Sequence, residues 1–195
     1  MSLRDRSTVF YLVYDYHMKL YVTRHGQTNY NVLGLCNADE TIDVYLTPLG
    51  VEQARQVSQK LKEKPFEVIY ISTLKRTRQT ADIINEFHNV PIEVDERIMD
   101  NVTGFEGKPV SEYYAAREGA PDKWGFKPEG AESLNDVKSR VQSFLNDLRQ
   151  ESYEAVLIVA HQSVNRMIYG VVNGASNKEI EQFDLPQGDF IEFEL

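Results

Sequence analysis

Hydrophobic positions along this chain follow two rhythms in turn. Short runs rich in β-branched and aromatic residues stand at 19–22, 67–71, 91–94 and 155–160, and each reads as a strand. Between them the apolar residues recur at every third or fourth position. Val51, Ala54, Val57 and Leu61 predict a helix from 48 to about 62, with Thr47 as its cap and Pro48 in its first turn. A second helix is expected from about 74 to 87, turning Ala81, Ile84 and Phe87 inward. Leu134, Val137, Val141, Phe144, Leu145 and Leu148 mark the longest one, from about 132 to 151. The run 155–160 carries no polar residue, as a central strand covered on both faces requires, and a helix should open near Ser163. Residues 189–194 alternate instead, which suits an edge strand with one wet face. Between 100 and 131, Gly and Pro mix with Tyr113, Tyr114 and Trp124, predicting an irregular cover with a short helix near Tyr113. Strands alternating with helices in this way imply an α/β fold: a three-layer α/β/α sandwich around a mostly parallel central sheet.

Composition narrows the class of partner. The chain has 195 residues, enough for one domain that buries roughly 70% of its unfolded surface, with no linker or internal repeat. A formal net charge of −9 with no basic block argues against nucleic acid or an anionic membrane. Nothing approaches the ~20 apolar residues of a membrane span, and the start does not read as a secretory signal. Cys36 is the only cysteine, a small apolar filler or a surface thiol, which fits a reducing, cytoplasmic setting. Met18 would itself make a natural start, so residues 1–17 read as an extension to a domain spanning 18–195. The extension is expected to add an edge strand or a subunit contact, the latter making a homodimer.

Chemistry concentrates where strands end. Arg24, His25 and Gly26 follow the first strand, and the carboxyl edge of an open α/β sheet is where ligands bind. A guanidinium forks onto phosphate oxygens and an imidazole can attack phosphorus. His161 repeats the arrangement after the central strand, so neighbouring strands would bring the two rings into one crevice. Arg76 sits in the first turn of a helix that follows another strand, where amides also favour an anion, whereas Arg78 reads as solvated. No metal-ligand cluster is visible, and two permanent cations would make a metal or other cofactor unnecessary.

In these segments the chain resembles the histidine phosphatase superfamily, which includes phosphoglycerate mutase and many phosphatases. The resemblance runs from Met18 onward, through Thr23 to Thr28 with Asn31, Leu46 to Gly50, Ser72 to Ala81, Gly104 to Gly107, Gly130 to Ser133, and Ala160-His161. It implies a phosphoglycerate mutase-like fold with His25 as the phosphoryl-accepting nucleophile. It further implies that Arg24, Arg76 and His161 bind the transferring phosphoryl group and that Asn31 contacts a phosphate oxygen. Thr28 and Gln162 are counted with the same phosphate-binding set.

The chain departs from the family where a glutamate would protonate the leaving alcohol. Asp100 stands there, one methylene shorter, and Glu106 is the nearby alternative that reads more readily as a loop-bonding residue. The expectation is a metal-independent phosphomonoesterase of the histidine acid phosphatase type, acting on a small phosphorylated metabolite. A phosphoglycerate mutase is the alternative enzyme, although its longer insertion with paired arginines is not evident, and a non-catalytic phospho-ligand binding module is the alternative outside enzymes. Lys108, Tyr113, Tyr114, Arg117, Lys123, Trp124 and Lys127 are candidates for contact with the leaving group.

Overall fold

The computed structural model describes residues 17–195. The edge strand or subunit contact expected of residues 1–17 therefore lies, but for its last residue, outside the described residues. Among the described residues five strands, β1 (Lys19–Arg24), β2 (Ile69–Ile71), β3 (Ile92–Val94), β4 (Ala155–Ala160) and β5 (Phe190–Glu194), form one sheet in the order β3-β2-β4-β1-β5. β1, β2, β3 and β4 run parallel, and β5 closes the edge antiparallel to β1. All six residues of β4 are buried, so the unbroken apolar run marks the middle of the sheet as expected.

Side chains alternate across the two faces. Leu20, Val22, Val156, Ile158 and Ala160 pack with Val137, Val141, Phe144, Val164 and Ile168 in one core. Those partners belong to α5 (Leu134–Leu148) and α6 (Gln162–Asn173). Tyr21, Ile69, Ile71, Leu157 and Val159 pack on the opposite face with Val57, Leu61, Ala81 and Ile84. These come from α2 (Pro48–Leu61) and α3 (Lys75–Asn85). The period of two along the strands thus feeds two separate cores, which is the three-layer sandwich read from the pattern.

Caps set most helix ends. Thr47 Oγ1 accepts from Gly50 N–H with Pro48 in the first turn, and Ser133 and Asp136 close a reciprocal capping box on α5. The helix expected to reach residue 87 stops at Asn85 instead. The Asn85 side chain bonds both the N–H and the carbonyl of Val90, and Asn89 turns with φ 53°, so the chain leaves the helix early. Phe87 is consequently 45% exposed, beneath the Lys62 ammonium, and is not part of the inward face. α4 (Val110–Glu118) is the short helix expected near Tyr113. Two helices went unread, α1 (Asn29–Leu33) and α7 (Asn177–Gln182), because five and six residues show no hydrophobic period. Each opens with a capping box, Thr28 with Asn31 and Ser176 with Glu179, and Ser-x-x-Glu was the local signal for the second.

Candidate active site

The register of β1 on β4 places the site. Arg24 pairs with Ala160, so His25 and His161 leave neighbouring strands side by side, and His25 N–H still donates to Ala160 O at 3.0 Å. Their ring centroids lie 5.1 Å apart. The turn that follows His25 presses on the start of α2: a Cβ on Gly26 would stand 2.2 Å from Gly50 O, and one on Gly50 2.0 Å from Gln27 O. Two glycines from separate motifs therefore form a single close backbone contact, pinned further by Gly26 N–H donating to Thr80 Oγ1 at 3.1 Å.

The hydrogen bonds of His25 determine which of its nitrogens can react. Nδ1 lies 2.8 Å from Gly26 O, and a carbonyl only accepts, so Nδ1 carries the proton. Nε2 then holds a lone pair, and it accepts from Arg76 Nε–H at 3.2 Å. Burial holds the imidazole well below its usual pKa, and Arg76, His161 and Arg24 push in the same direction by charge. His25 is 3% exposed and neutral, with its basic nitrogen turned toward the Arg76 guanidinium. His161 is also held well below the ordinary histidine range, by burial and then by Arg76, Arg140 and Arg24.

These depressions have a testable sign. Between pH 6.5 and the lower folded values, the unfolded chain binds more protons at positions 25 and 161 than the folded chain does. Stability therefore falls as pH drops below 6.5 and is unaffected by these rings above it, with a slope of at most about 1.4 kcal/mol per pH unit for each ring. Urea unfolding at pH 7 and pH 5 should show this loss, and it should shrink in His161→Gln.

Arg76 and Asp100 form the centre of the cup. Arg76 Nη1 donates to Asn37 Oδ1 at 3.1 Å, and Nη2 donates to Asn37 O at 2.9 Å and to Asp100 Oδ2 at 3.1 Å. Asp100 Oδ1 accepts from Asn101 N–H and from Ser163 Oγ, at 2.9 and 2.6 Å. Its Oδ2 stands 3.5 Å from His161 Nδ1. The loop carrying Asp100 is tied to α5, since Arg140 donates to Arg97 O at 2.7 Å and to Asp100 O at 3.2 Å. Arg24 Nε is buried without a hydrogen-bond partner. Burial pulls the pKa of both Arg24 and Arg76 down, yet guanidiniums stay charged in proteins. Neither α3 nor α6 has a side-chain cap, although Thr77 N–H in the first turn of α3 donates to Leu74 O.

The expected set does not converge uniformly. His25, Arg24, Arg76, Asp100, Asn31, Thr28 and Gln162 all line one pocket of about 190 Å³, beside which His161 is fully buried. Thr28 Oγ1 accepts from Asn31 N–H, and Asn31 Oδ1 accepts from Thr28 N–H and Gln187 Nε2, so both residues work as a helix cap at the mouth. Gln162 Nε2 donates to Asp184 Oδ1 at 2.7 Å, with its Oε1 buried and unpaired. Glu106 accepts from Ala38 N–H and Thr103 N–H, which commits it to bracing loops. Of the leaving-group candidates, Tyr113, Tyr114, Arg117 and Trp124 line the pocket, whereas Lys108, Lys123 and Lys127 do not. Asn37, Ser72, Arg140 and Ser163 were missed as site residues; Ser72 stood at the head of a quoted motif, but the others carried no local signal.

Among the described residues no group of three or more His, Cys, Asp or Glu is placed to hold a metal, and no helix is long and apolar enough to cross a membrane. Two parallel strands thus bring His25 into an arginine-lined cup and His161 directly beside it. The histidine phosphatase superfamily (branch 1) profile matches residues 20–195, and the chain belongs to that family. It is 30% identical over 173 residues to phosphoserine phosphatase 1 of Hydrogenobacter thermophilus, covering 85% of this chain and 81% of that one. It is 30% identical over 182 residues to fructose-2,6-bisphosphatase of Saccharomyces cerevisiae, covering 90% of this chain and 38% of that protein. Among solved structures, a phosphoserine phosphatase of Entamoeba histolytica superposes with a TM-score of 0.75 at 26% identity, with 90% of each chain covered. Bacillus stearothermophilus YhfR gives 0.76, also at 26% identity with 90% of each chain covered.

Proposed function

We propose that the protein is a metal-independent phosphomonoesterase working through a phosphohistidine on His25. The observation that carries this reading is the assignment of His25 Nε2 as a buried lone pair held by Arg76 Nε–H in a cup with Arg24 and His161. Nε2 attacks phosphorus, the phosphorus–oxygen bond to the alcohol breaks, and the leaving oxygen takes a proton from Asp100. Water then attacks the phosphoryl group, the phosphorus–nitrogen bond breaks, and Asp100 recovers a proton. Charge spread over the equatorial oxygens is met by Arg24, Arg76 and the first-turn amides, so catalysis is positioning plus electrostatics.

Asp100 is the proton donor in this scheme because it alone of the two candidate carboxylates lines the cup. Asp100→Asn keeps the size and removes the acid. It should slow hydrolysis of alkyl phosphates by about 10²-fold or more, in line with general acid catalysis, and slow p-nitrophenyl phosphate far less, since that leaving group needs no proton. Equal losses on both esters would remove Asp100 from the proton-transfer step.

The leaving group carries a second anion. The pocket that holds the cup is also lined by Arg117 and Arg166, with Tyr113, Tyr114 and Trp124. Arg117 is 11% exposed and its Nε is buried without a partner, while Glu181 lies 3.8 Å from its Nη2. The Arg166 guanidinium repels that of Arg24, and a carboxylate or phosphate between them would relieve that repulsion. By their names, relatives act on phosphoserine and fructose 2,6-bisphosphate, each of which bears a further anionic group. Phosphate release in EDTA should favour 3-phosphoglycerate over glycerol 2-phosphate by about tenfold or more in kcat/KM, as a charged hydrogen bond predicts. Arg117→Met with Arg166→Met should erase that preference. A wild type indifferent to the second anion overturns the substrate class, and an isomer in place of free phosphate would make the enzyme a mutase.

A further inference from the structure

We propose that Ser72 sets the tautomer of His161, holding its proton on Nδ1 so that an N–H, and not a lone pair, faces the transferring phosphoryl group. Ser72 follows β2 and is 1% exposed. Its Oγ lies 2.8 Å from His161 Nε2 and 3.1 Å from Thr77 Oγ1, and it accepts from Leu74 N–H at 3.2 Å. Thr77 Oγ1 sends its own proton to a carbonyl, Leu74 O at 2.8 Å. The single Ser72 proton therefore has two destinations, Nε2 of His161 or Oγ1 of Thr77.

The far side of the ring decides between them. His161 Nδ1 is buried with no hydrogen-bond partner and stands 3.5 Å from Asp100 Oδ2. If Ser72 gave its proton to Thr77, Nε2–H would donate to Ser72 and a bare Nδ1 lone pair would oppose Asp100 Oδ2, the oxygen paired with Arg76 before Asp100 takes up its catalytic proton, and a phosphate oxygen once substrate arrives. With Ser72 donating to Nε2, the ring's lone pair meets a donor and Nδ1–H points toward Asp100 Oδ2 at 3.5 Å, at the cost of a donor for Thr77 Oγ1. The shorter of the two contacts at Ser72 is the one to His161. The buried ring stays neutral beside Arg76, Arg140 and Arg24, so one proton must be placed and the serine places it. Ser72 touches no substrate and is a positioning residue.

This inference rests on the phosphoryl-transfer reading for its consequence, but its test does not need turnover. Long-range proton–nitrogen correlation spectra of the full chain, labelled with nitrogen-15 in histidine, distinguish protonated from bare ring nitrogens. The His161 signals are identified by their loss in His161→Gln. Wild type should show Nδ1 protonated and Nε2 bare; Ser72→Ala should move the proton wholly or partly to Nε2; Ser72→Thr, which keeps the hydroxyl, should restore the wild-type pattern. Ser72→Ala should also lower kcat by about ten- to a hundredfold, the range of a hydrogen bond to a charged group, with KM little changed. A wild-type ring protonated on Nε2 overturns the proposal even if neither Ser72 variant folds, and an unaltered ring in Ser72→Ala overturns the role of the serine. Failure of every phosphate ester to turn over would instead strike the phosphatase reading and leave the tautomer result standing.

Discussion

Alanine at position 25 should lower phosphomonoesterase turnover by about 10⁴-fold or more, the scale of losing a nucleophile whose partners cannot act without it. The structure explains why no neighbour takes over. His161 is 0% exposed with Nε2 at Ser72 Oγ, and in the proposed tautomer the second ring would act as a donor and offer no free lone pair. Arg24 and Arg76 are cations without nucleophilic nitrogen at neutral pH. The deletion therefore leaves a phosphate-binding cup without a covalent route. Rapid quenching of wild type with a ³²P-labelled ester should trap an acid-labile, alkali-stable phosphoryl group on the peptide containing His25. His25→Ala should trap none while still binding vanadate. A variant that keeps turnover within about tenfold of wild type would end the phosphohistidine scheme, because binding and electrostatics alone do not supply such a rate.

Replacing Arg76 with alanine should cost about 3 kcal/mol of transition-state stabilisation, comparable with removing one oxyanion donor. The side chain is 5% exposed and makes four bonds that converge on the cup: to His25 Nε2, to Asn37 twice, and to Asp100 Oδ2. Its loss removes charge from the equatorial oxygens and also releases Asp100, which faces His161 Nδ1. Arg76→Lys keeps a charge but cannot make the fork, so it should recover only part of the loss. The kcat/KM of wild type, Arg76→Ala and Arg76→Lys on one ester gives the ordering, and near-normal turnover in the alanine variant would place the guanidinium outside the reaction.

Much of this architecture was legible because local pattern and global fold agree. The apolar run 155–160 could only be a doubly covered strand, and it is the middle of the sheet. Thr47-Pro48 announced a helix start that the hydrogen bond to Gly50 N–H realises. The failures share a cause. α1 and α7 are shorter than two helical turns, so no period could reveal them. Phe87 kept helical spacing, but the Asn85 side chain ended the helix first, and side-chain bonds to backbone leave no trace in a hydrophobic pattern.

The site divides along the same line. That histidines and arginines stand at strand ends and first helical turns is a property of order along the chain, which sets where the carboxyl edge of each strand falls. Which atoms meet is a property of packing between segments distant in sequence. The tautomer of His25 depends on a carbonyl one residue away, but its lone pair is presented to a guanidinium 51 residues on. Glu106 and Asp100 are both plausible acids on paper. A tertiary contact to Ala38 and a local one to Thr103 bind the first into loops, while Ser163 and Arg76 draw the second into the cup. Local propensity acts over a few residues, whereas the charge, burial and proton position of a catalytic group come from neighbours that only the closed sheet and its two helical layers bring within hydrogen-bonding distance.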